Sequence, residues 1–344
     1  MSTPVPTIDP DTILNYIKNS DIVIVGHVTE LKPSEENMAT SDDVRATQKS
    51  KLSVRKGQWY QALIKIERAY IGNIKNGETL KVYFFVPLPI NGAVNLEQKK
   101  QYLYLLKVNQ NDQIIFANDY YFGFRVLDER PVLKSPITTQ EAAKAELVQN
   151  IKNGDDELKQ LSLDILWPDT DASGIAKKLL LQQSTPMRVK VSAAAFLLRS
   201  GDVDALPDAE ILIRQAREEQ ASQSIEKMAR SISNLSEQLN SEQLTKLLNT
   251  REPSIEFAVG EVIRNNTRKE FASVAVQLLN AEMVNNEEDA HWQIDAKYSA
   301  ISLLSELRNI PGPGFDEYMN NPNKYIQEYL AWWTKKGKEK YKAT

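Results

Sequence analysis

The sequence predicts a multidomain β + α chain, a small β-barrel followed by an α–α solenoid. Three observations predict it. Between residues 21 and 127, short β-branched or alternating stretches are separated by Gly, Pro and Asn-Gly turn chemistry. From residue 138 onward, amphipathic runs recur at intervals of roughly 30 to 36 residues, the range of helical-hairpin repeats. Between the two lies Glu129–Pro136 (ERPVLKSP), a Pro-containing connector. The expected division is a barrel domain over residues 1–130, a linker over 131–137 and a helical repeat domain over 138–344.

Residues 1–10 are Pro-rich and expected to be irregular. Asp11 is a fair N-cap for a short helix, Thr12–Lys18, with Ile13, Leu14 and Ile17 inward. Asp21–Leu31 (DIVIVGHVTEL) is β-branched and reads as a strand, with Gly26 marking a bulge or sharp coil. Lys32–Gly57 is polar and reads as an unusually long loop. Trp59–Ile71 alternates Tyr60, Ala62, Ile64 and Ile66 with Gln61, Lys65 and Glu67, as a half-buried strand does. Asn76-Gly77 turns the chain into Glu78–Val86, which Pro87 and Pro89 end. Gln101–Val108, Gln113–Ala117 and Tyr120–Leu127 complete five or six strands, enough for a small barrel or sandwich.

After the connector, Thr138 with Glu141 forms a capping box for the first helix. The stretch Pro186–Asp202 organises the rest. Wound as a helix, it places Val189, Ser192, Ala193, Phe196 and Leu197 on one face and Val191, Ala194 and Leu198 on the other. Arg188, Ala195 and Arg199 form a narrow strip for water, so the helix should be sandwiched between neighbours. Pro186 suits its entry and Gly201 its exit. The i, i+3, i+7 spacing recurs at Leu158, Leu161 and Ile165, at Ile225, Met228 and Ile232, and at Ile255, Ala258 and Val262. Second amphipathic runs lie over Ile175–Gln182, Ala209–Arg217, Ser241–Leu248 and Phe271–Leu279. Ala281–Ala290 reads as an acidic loop and Ile294–Leu307 as the next helix. Pro311-Gly312-Pro313-Gly314 breaks the chain before an aromatic helix, Asn323–Lys335, and a basic tail. A stack of such pairs buries apolar faces that one pair cannot.

MRVKVSAAAFLLRSGDVDALP, in which an Arg leads an Ala-rich helix ending in Gly-Asp, resembles the second helix and exit of a HEAT-type repeat. PSIEFAVGEVIRNNTRKEFASVAVQLL is similar in degenerate form. The resemblance implies a HEAT-like α-solenoid over about residues 138–344. The order of a short helix, DIVIVGHVTEL, YQALIKIERAYIG, LKVYFFV and KKQYLYLL resembles the OB-like barrel of the netrin module and of tissue inhibitors of metalloproteinases, over about residues 10–130. Only the fold is implied. The chain lacks the N-terminal Cys with which those inhibitors chelate a zinc ion, so the inhibitory chemistry does not carry over.

Composition narrows the function classes. Residues 1–137 carry 17 basic and 15 acidic groups, and residues 138–344 carry 25 and 31, so neither part has the basic excess of a nucleic-acid binder. The 344 residues include no cysteine, which removes disulfides, thiolate catalysis and cysteine-bound zinc. No apolar run reaches membrane-spanning length. The start, MSTPVPTIDP, has neither a basic n-region nor an apolar h-region. A cytoplasmic location is therefore expected, or export if Met1 replaced a removed signal.

His27 and His291 are the only histidines. His27 is expected in the barrel wall, and His291 in a solvated loop beside Glu287, Glu288 and Asp289, where successive residues do not converge on a metal. Asp155-Asp156 suits a helix start; Asp42-Asp43 and Glu218-Glu219 read as solvated charge. No Gly-rich phosphate loop, GxSxG, HExxH or EF-hand pattern occurs. Trp167, Trp292, Trp332 and Trp333 are expected to fill gaps between helices.

The function expected from these readings is that of a non-enzymatic protein-binding or scaffold protein, using the solenoid's concave face and the barrel's rim loops. An enzyme with a site in the domain cleft, drawing on His27 or on acids of the concave face, and nucleic-acid binding through the barrel stay open as alternatives. No catalytic residue, cofactor or metal is assigned. A protein partner is expected, with Arg45, Lys49, Lys51, Arg55 and Lys56 as candidate partner-binding residues in the Lys32–Gly57 segment, opposed by Glu35, Glu36, Asp42 and Asp43 in its first part.

Overall fold

The structure, a computed structural model, describes residues 10–34, 57–87, 96–97, 99–109, 111–116, 123–133 and 137–341. It forms two compact units, Met1–Trp167 and Pro168–Thr344.

In the first unit, helix α1 (Pro10–Lys18) buries Ile13 and Ile17. Six strands follow: β1 (Ile22–Pro33), β2 (Gly57–Ile71), β3 (Thr79–Pro87), β4 (Tyr102–Val108), β5 (Ile114–Phe116) and β6 (Phe124–Arg125). Their hydrogen-bonded order is β1-β2-β3-β5-β4, and β4 returns to β1, so five strands close into a barrel. β3 and β5 run parallel; the other neighbours are antiparallel. Each of these five strands thereby has a hydrogen-bonded neighbour on both sides over part of its length. β6 pairs with the start of β4. Ile22, Ile24, Val28, Ile64, Ile66, Val82, Phe84, Tyr104, Leu106 and Phe116 share one core.

The bulge expected at Gly26 is present. Register shifts between Val25 and Gly26, and a Cβ on Gly26 would lie 2.3 Å from the Lys65 carbonyl oxygen. Only glycine lets β1 and β2 approach there.

Helices α2 (Thr139–Asn153) and α3 (Asp156–Ile165) belong to the barrel's unit, although they follow the connector. The Thr138–Glu141 capping box starts α2, and Asp155 caps α3 by accepting from the Leu158 amide. What ties α2 down is a buried polar network. Arg68 on β2 donates to Glu146 at 2.9 and 3.2 Å and to the carbonyls of Asp128 and Leu127, both at 2.8 Å. The Tyr70 hydroxyl donates to Glu146 as well. Asn150 accepts from the Leu127 amide and donates to the Arg125 carbonyl. Polar groups at these sites satisfy chain that would otherwise lose its hydrogen bonds. On α3, Leu161 is 44% exposed, whereas Ser162 and Leu163 are buried. Leu161, expected inward from its spacing, faces solvent, so the helix is rotated from that assignment.

The second unit is a stack of helices. Helices α4 (Thr170–Leu181), α6 (Leu206–Glu218), α8 (Ser241–Leu248) and α10 (Ala272–Asn280) alternate with α5 (Met187–Arg199), α7 (Ser222–Ser233), α9 (Pro253–Asn265) and α11 (Glu287–Arg308). α5, α7, α9 and α11 lie side by side in one row, each packed on the next. The triads Val189/Ser192/Phe196, Ile225/Met228/Ile232 and Ile255/Ala258/Val262 are all buried. Gly201 ends α5 at φ +81°, as a C-terminal stop requires. Ala195, expected on a water-facing strip with Arg188 and Arg199, is fully buried. α5 is covered on that side too, and only Arg188 is freely exposed.

α11 begins at Glu287, a full two turns before the Ile294 start expected from the pattern. The segment up to Ala290 is thus only partly loop. After the Pro311–Gly314 break come α12 (Phe315–Asn320) and α13 (Pro322–Trp332), then a single π turn, Trp333–Gly337, and α14 (Lys338–Lys340). No helix among the described residues is long and apolar enough to cross a membrane.

Candidate functional site

The residues singled out in the Lys32–Gly57 segment, Arg45, Lys49, Lys51, Arg55 and Lys56, lie outside the described residues. His27 sits half-buried on β1, its Nδ1 3.2 Å from Glu67 on β2, as a barrel-wall residue would. His291 is not in a loop. It is exposed on α11, and the helix puts it one turn before Asp295 on the same face. Trp167 is buried, and the Trp292 ring packs edge-on to Phe257 at 4.7 Å.

The polar groups of the second unit concentrate where α9 and α11 cross. Gly260 makes the crossing close: a Cβ there would lie 2.8 Å from the Ala296 Cα. Around this contact two sets of charges form.

The first set is inward and consumed by structure. Arg217, at the end of α6, donates to Glu252 at 2.8 and 2.9 Å and reaches Asp289 at 2.7 Å. It thereby joins the starts of α9 and α11, where carboxylates favour the helix dipole. Buried Glu256 accepts from Gln293 at 2.8 Å. Lys297, only 3% exposed, donates to the carbonyls of Leu278, Leu279 and Ala281 at 2.8, 3.1 and 2.6 Å. It caps the C-terminus of α10 from a neighbouring helix. Burial pulls its pKa down to about 8, with Glu256 acting in the opposite direction. Burial likewise raises Glu256.

The second set faces solvent along the helix row. Glu226 and Arg230 pair at 2.9 Å on α7, and Glu261 and Arg264 pair at 2.6 Å on α9. Asp295 and His291 continue the strip on α11. Glu261 and Asp295 flank the Gly260–Ala296 contact from opposite helices. Desolvation raises both carboxyls above their usual range, and each feels neighbours across the row: Arg264, Asp295 and Arg230 for Glu261, His291 and Arg264 for Asp295. Asp295 forms no ion pair among the described residues. On α12, the Tyr318 hydroxyl is fully buried without a hydrogen-bond partner among the described residues. Burial and then Asp295 push that hydroxyl up to about 12.

Sequence reasoning did not find this pair. The i, i+4 spacing of His291 and Asp295 marks only the α11 side of it, and reading the start of α11 as loop hides that spacing. Among the described residues, no group of three or more His, Asp or Glu side chains is placed to hold a metal ion. Set against known protein families, curated proteins and solved structures, the chain matches none.

Proposed function

We propose that this chain is a non-enzymatic binding protein whose helical unit is HEAT-like and whose barrel is OB-like, and that the solvent side of the helix row receives a protein partner. One observation carries the reading: α5, α7, α9 and α11 form a continuous row, and across it runs a strip of paired and half-desolvated charges from Glu226 to Asp295. Stacked helix pairs present extended surfaces of this kind to partners. Mixed charge in register favours a partner with the complementary pattern and disfavours the single-sign backbone of a nucleic acid. The barrel's strand order, with β3 parallel to β5, supports the OB-like reading.

The test is cross-linking capture of the full chain in its native host with mass spectrometry, repeated with Arg230→Glu and Arg264→Glu combined. The parent should retain a reproducible partner, and the charge-reversed protein should lose it while melting at the same temperature. A partner set untouched by the reversal would remove the row as the surface. No partner above background for the parent would remove the binding reading itself.

A further inference from the structure

We infer that residues 332–341 form a docking surface for an anionic phospholipid membrane face, with the ammonium groups of Lys335, Lys336, Lys338 and Lys340 on headgroup phosphates and the half-exposed indoles of Trp332 and Trp333 at headgroup level. This goes beyond the protein-binding reading and uses another part of the helical unit, so neither depends on the other.

Two observations meet in this segment. The first is that it is held in place. The Tyr341 hydroxyl donates to the Leu307 carbonyl at 2.7 Å, and the Tyr341 ring lies 6.3 Å from that of Trp332. The Arg308 guanidinium sits over Trp332 at 5.6 Å and pairs with Glu328 at 3.0 Å. Gly337 is buried against both indoles: a Cβ there would lie 2.6 Å from Trp333 Cε3 and 3.1 Å from Trp332 Cζ3. The π turn, Trp333–Gly337, ends on that glycine, and single π turns within helices are frequent at functional positions.

The second observation is that the segment's charge is unanswered. Lys335, Lys336, Lys338 and Lys340 are all exposed, and none forms an ion pair among the described residues. Lys340 lies over the Tyr341 ring at 5.0 Å, which leaves its charge uncompensated. Lys336 and Lys340 stand four residues apart, where like charges weaken a helix. Glu339, the one carboxylate between them, is exposed and joins no ion pair among the described residues. Elsewhere in this unit surface cations do pair, Lys177 with Asp202, Arg230 with Glu226 and Arg264 with Glu261. A segment this well fixed carries its repulsion for an external anion.

Charge complementarity sets the sign of the occupant, and the aromatic packing chooses among anions. A single-stranded nucleic acid stacks its bases on open aromatic faces. Here Arg308 covers Trp332 and Gly337 packs on both indoles. The segment's cations are all lysines, which act as point charges and lack the planar fork of arginine. A bilayer face asks for neither stacking nor a fork. It offers many phosphates in one plane, so several lysines are neutralised together. Trp and Tyr rings, apolar in body with one polar edge, settle at headgroup level, and lysine stems add apolar contact there. The chain has a formal net charge of −4, so this contact belongs to the segment and not to the surface at large.

The test is co-sedimentation of the full chain with vesicles of phosphatidylcholine, alone or mixed with phosphatidylglycerol. The protein should bind the mixed vesicles and not the phosphatidylcholine ones, and added salt should weaken the binding. Lys335→Gln, Lys336→Gln, Lys338→Gln and Lys340→Gln combined, checked for an unchanged melting temperature, should weaken it at least about tenfold, since each lysine near an anionic surface contributes about fivefold. The same four positions changed Lys→Arg keep the charge and should bind as the parent does. Equal sedimentation with the two vesicle types, equal binding by the Lys→Gln protein, or no sedimentation with either vesicle would overturn the proposal. So would a labelled single-stranded oligonucleotide bound by the parent in place of vesicles and released by the same Lys→Gln changes, which would assign the surface to nucleic acid.

Discussion

Glu146 and Asp295 are both helix-borne carboxylates held away from water, one in each compact unit, and their surroundings differ completely. Glu146 is 0% exposed, with Arg68 bonded to it through two nitrogens and Tyr70 through its hydroxyl. Burial raises its pKa, while Tyr70 and Arg68 pull it back. Asp295 is half-buried and has no ion pair among the described residues, its electrostatic neighbours being His291 and Arg264. A sealed network of the first kind fixes α2 on the barrel; it has no capacity left for a ligand. An open one of the second kind contributes little to stability and keeps its hydrogen-bonding capacity. The contrast separates a charge kept for architecture from a charge left open to solvent.

The largest expected effect breaks the sealed network. Glu146→Ala leaves Arg68 buried without its carboxylate, and such losses cost about 3–5 kcal/mol. Urea denaturation of the full chain should show it. The same network bears on the connector. Residues 138–344 expressed alone would expose Glu146 and Asn150 at the start of the fragment, whereas residues 168–344 begin at the edge of a compact unit. The shorter fragment should give the sharper thermal transition by circular dichroism. A loss under 1 kcal/mol for Glu146→Ala would mean the network is not what holds α2.

Next comes the inward charge of the helical unit. Lys297 has a folded pKa of about 8 against an ordinary 10.5. Below about 8 the ammonium is charged in both states, and its desolvation cost is fully present. As pH rises from 8 towards 10.5, the unfolded chain binds the proton more tightly, so stability rises. The gain is at most roughly 3 kcal/mol. Lys297→Met should lack this rise. Parallel curves for the parent and the variant between pH 7.5 and 10 would show that the three carbonyls hold Lys297 charged throughout.

A smaller effect is expected at the crossing that brings the carboxylates together. Alanine favours helices over glycine by up to about 1 kcal/mol. At Gly260, however, the new Cβ would stand 2.8 Å from the Ala296 Cα, which is backbone and cannot rotate away. Overpacking costs of about 1–3 kcal/mol should win, leaving Gly260→Ala less stable by about 1–2 kcal/mol. A stabilised variant would mean α9 and α11 separate easily, and the close placement of Glu261 and Asp295 would lose its support.

What was legible in the sequence was local. The alternation of Trp59–Ile71, the Thr138–Glu141 box, the Ser241–Leu248 run and the Gly201 stop all depend on neighbours a few residues away, and each is where the pattern put it. The start of α11 was not legible, because its polar residues have distant partners: Arg217 for Asp289 and Glu256 for Gln293. Without those partners, AEMVNNEEDA has the composition of a loop. Leu161 was misassigned because spacing alone does not fix helix rotation; the buried positions there are Leu158, Ser162 and Leu163. The Glu261–Asp295 pair was invisible for the same physical reason. Its members lie on different helices, and only the register of the crossing at Gly260 joins them.

The smallest expected effect is the one on which the comparison turns. Asp295 has a raised pKa, so the folded state binds its proton more tightly than the unfolded chain does. Below the ordinary carboxylate range both states are protonated, and desolvation costs nothing. As pH rises through the raised folded value, the folded protein must bear a partly desolvated charge, and stability falls slightly. Asparagine keeps the shape and removes the charge, so Asp295→Asn should equal or slightly exceed the parent at neutral pH. Solvent reaches this half-exposed group, which holds the difference within about 0.5 kcal/mol. The two proteins should converge as the pH is lowered. Glu146→Gln, tested beside it, should be clearly destabilised at neutral pH because Arg68 then loses its countercharge. Urea midpoints of both variants at pH 5 and pH 7.5 make the check. Comparable losses for the two would show that Asp295 is also bound into architecture, and the distinction between the sealed and the open carboxylate would collapse.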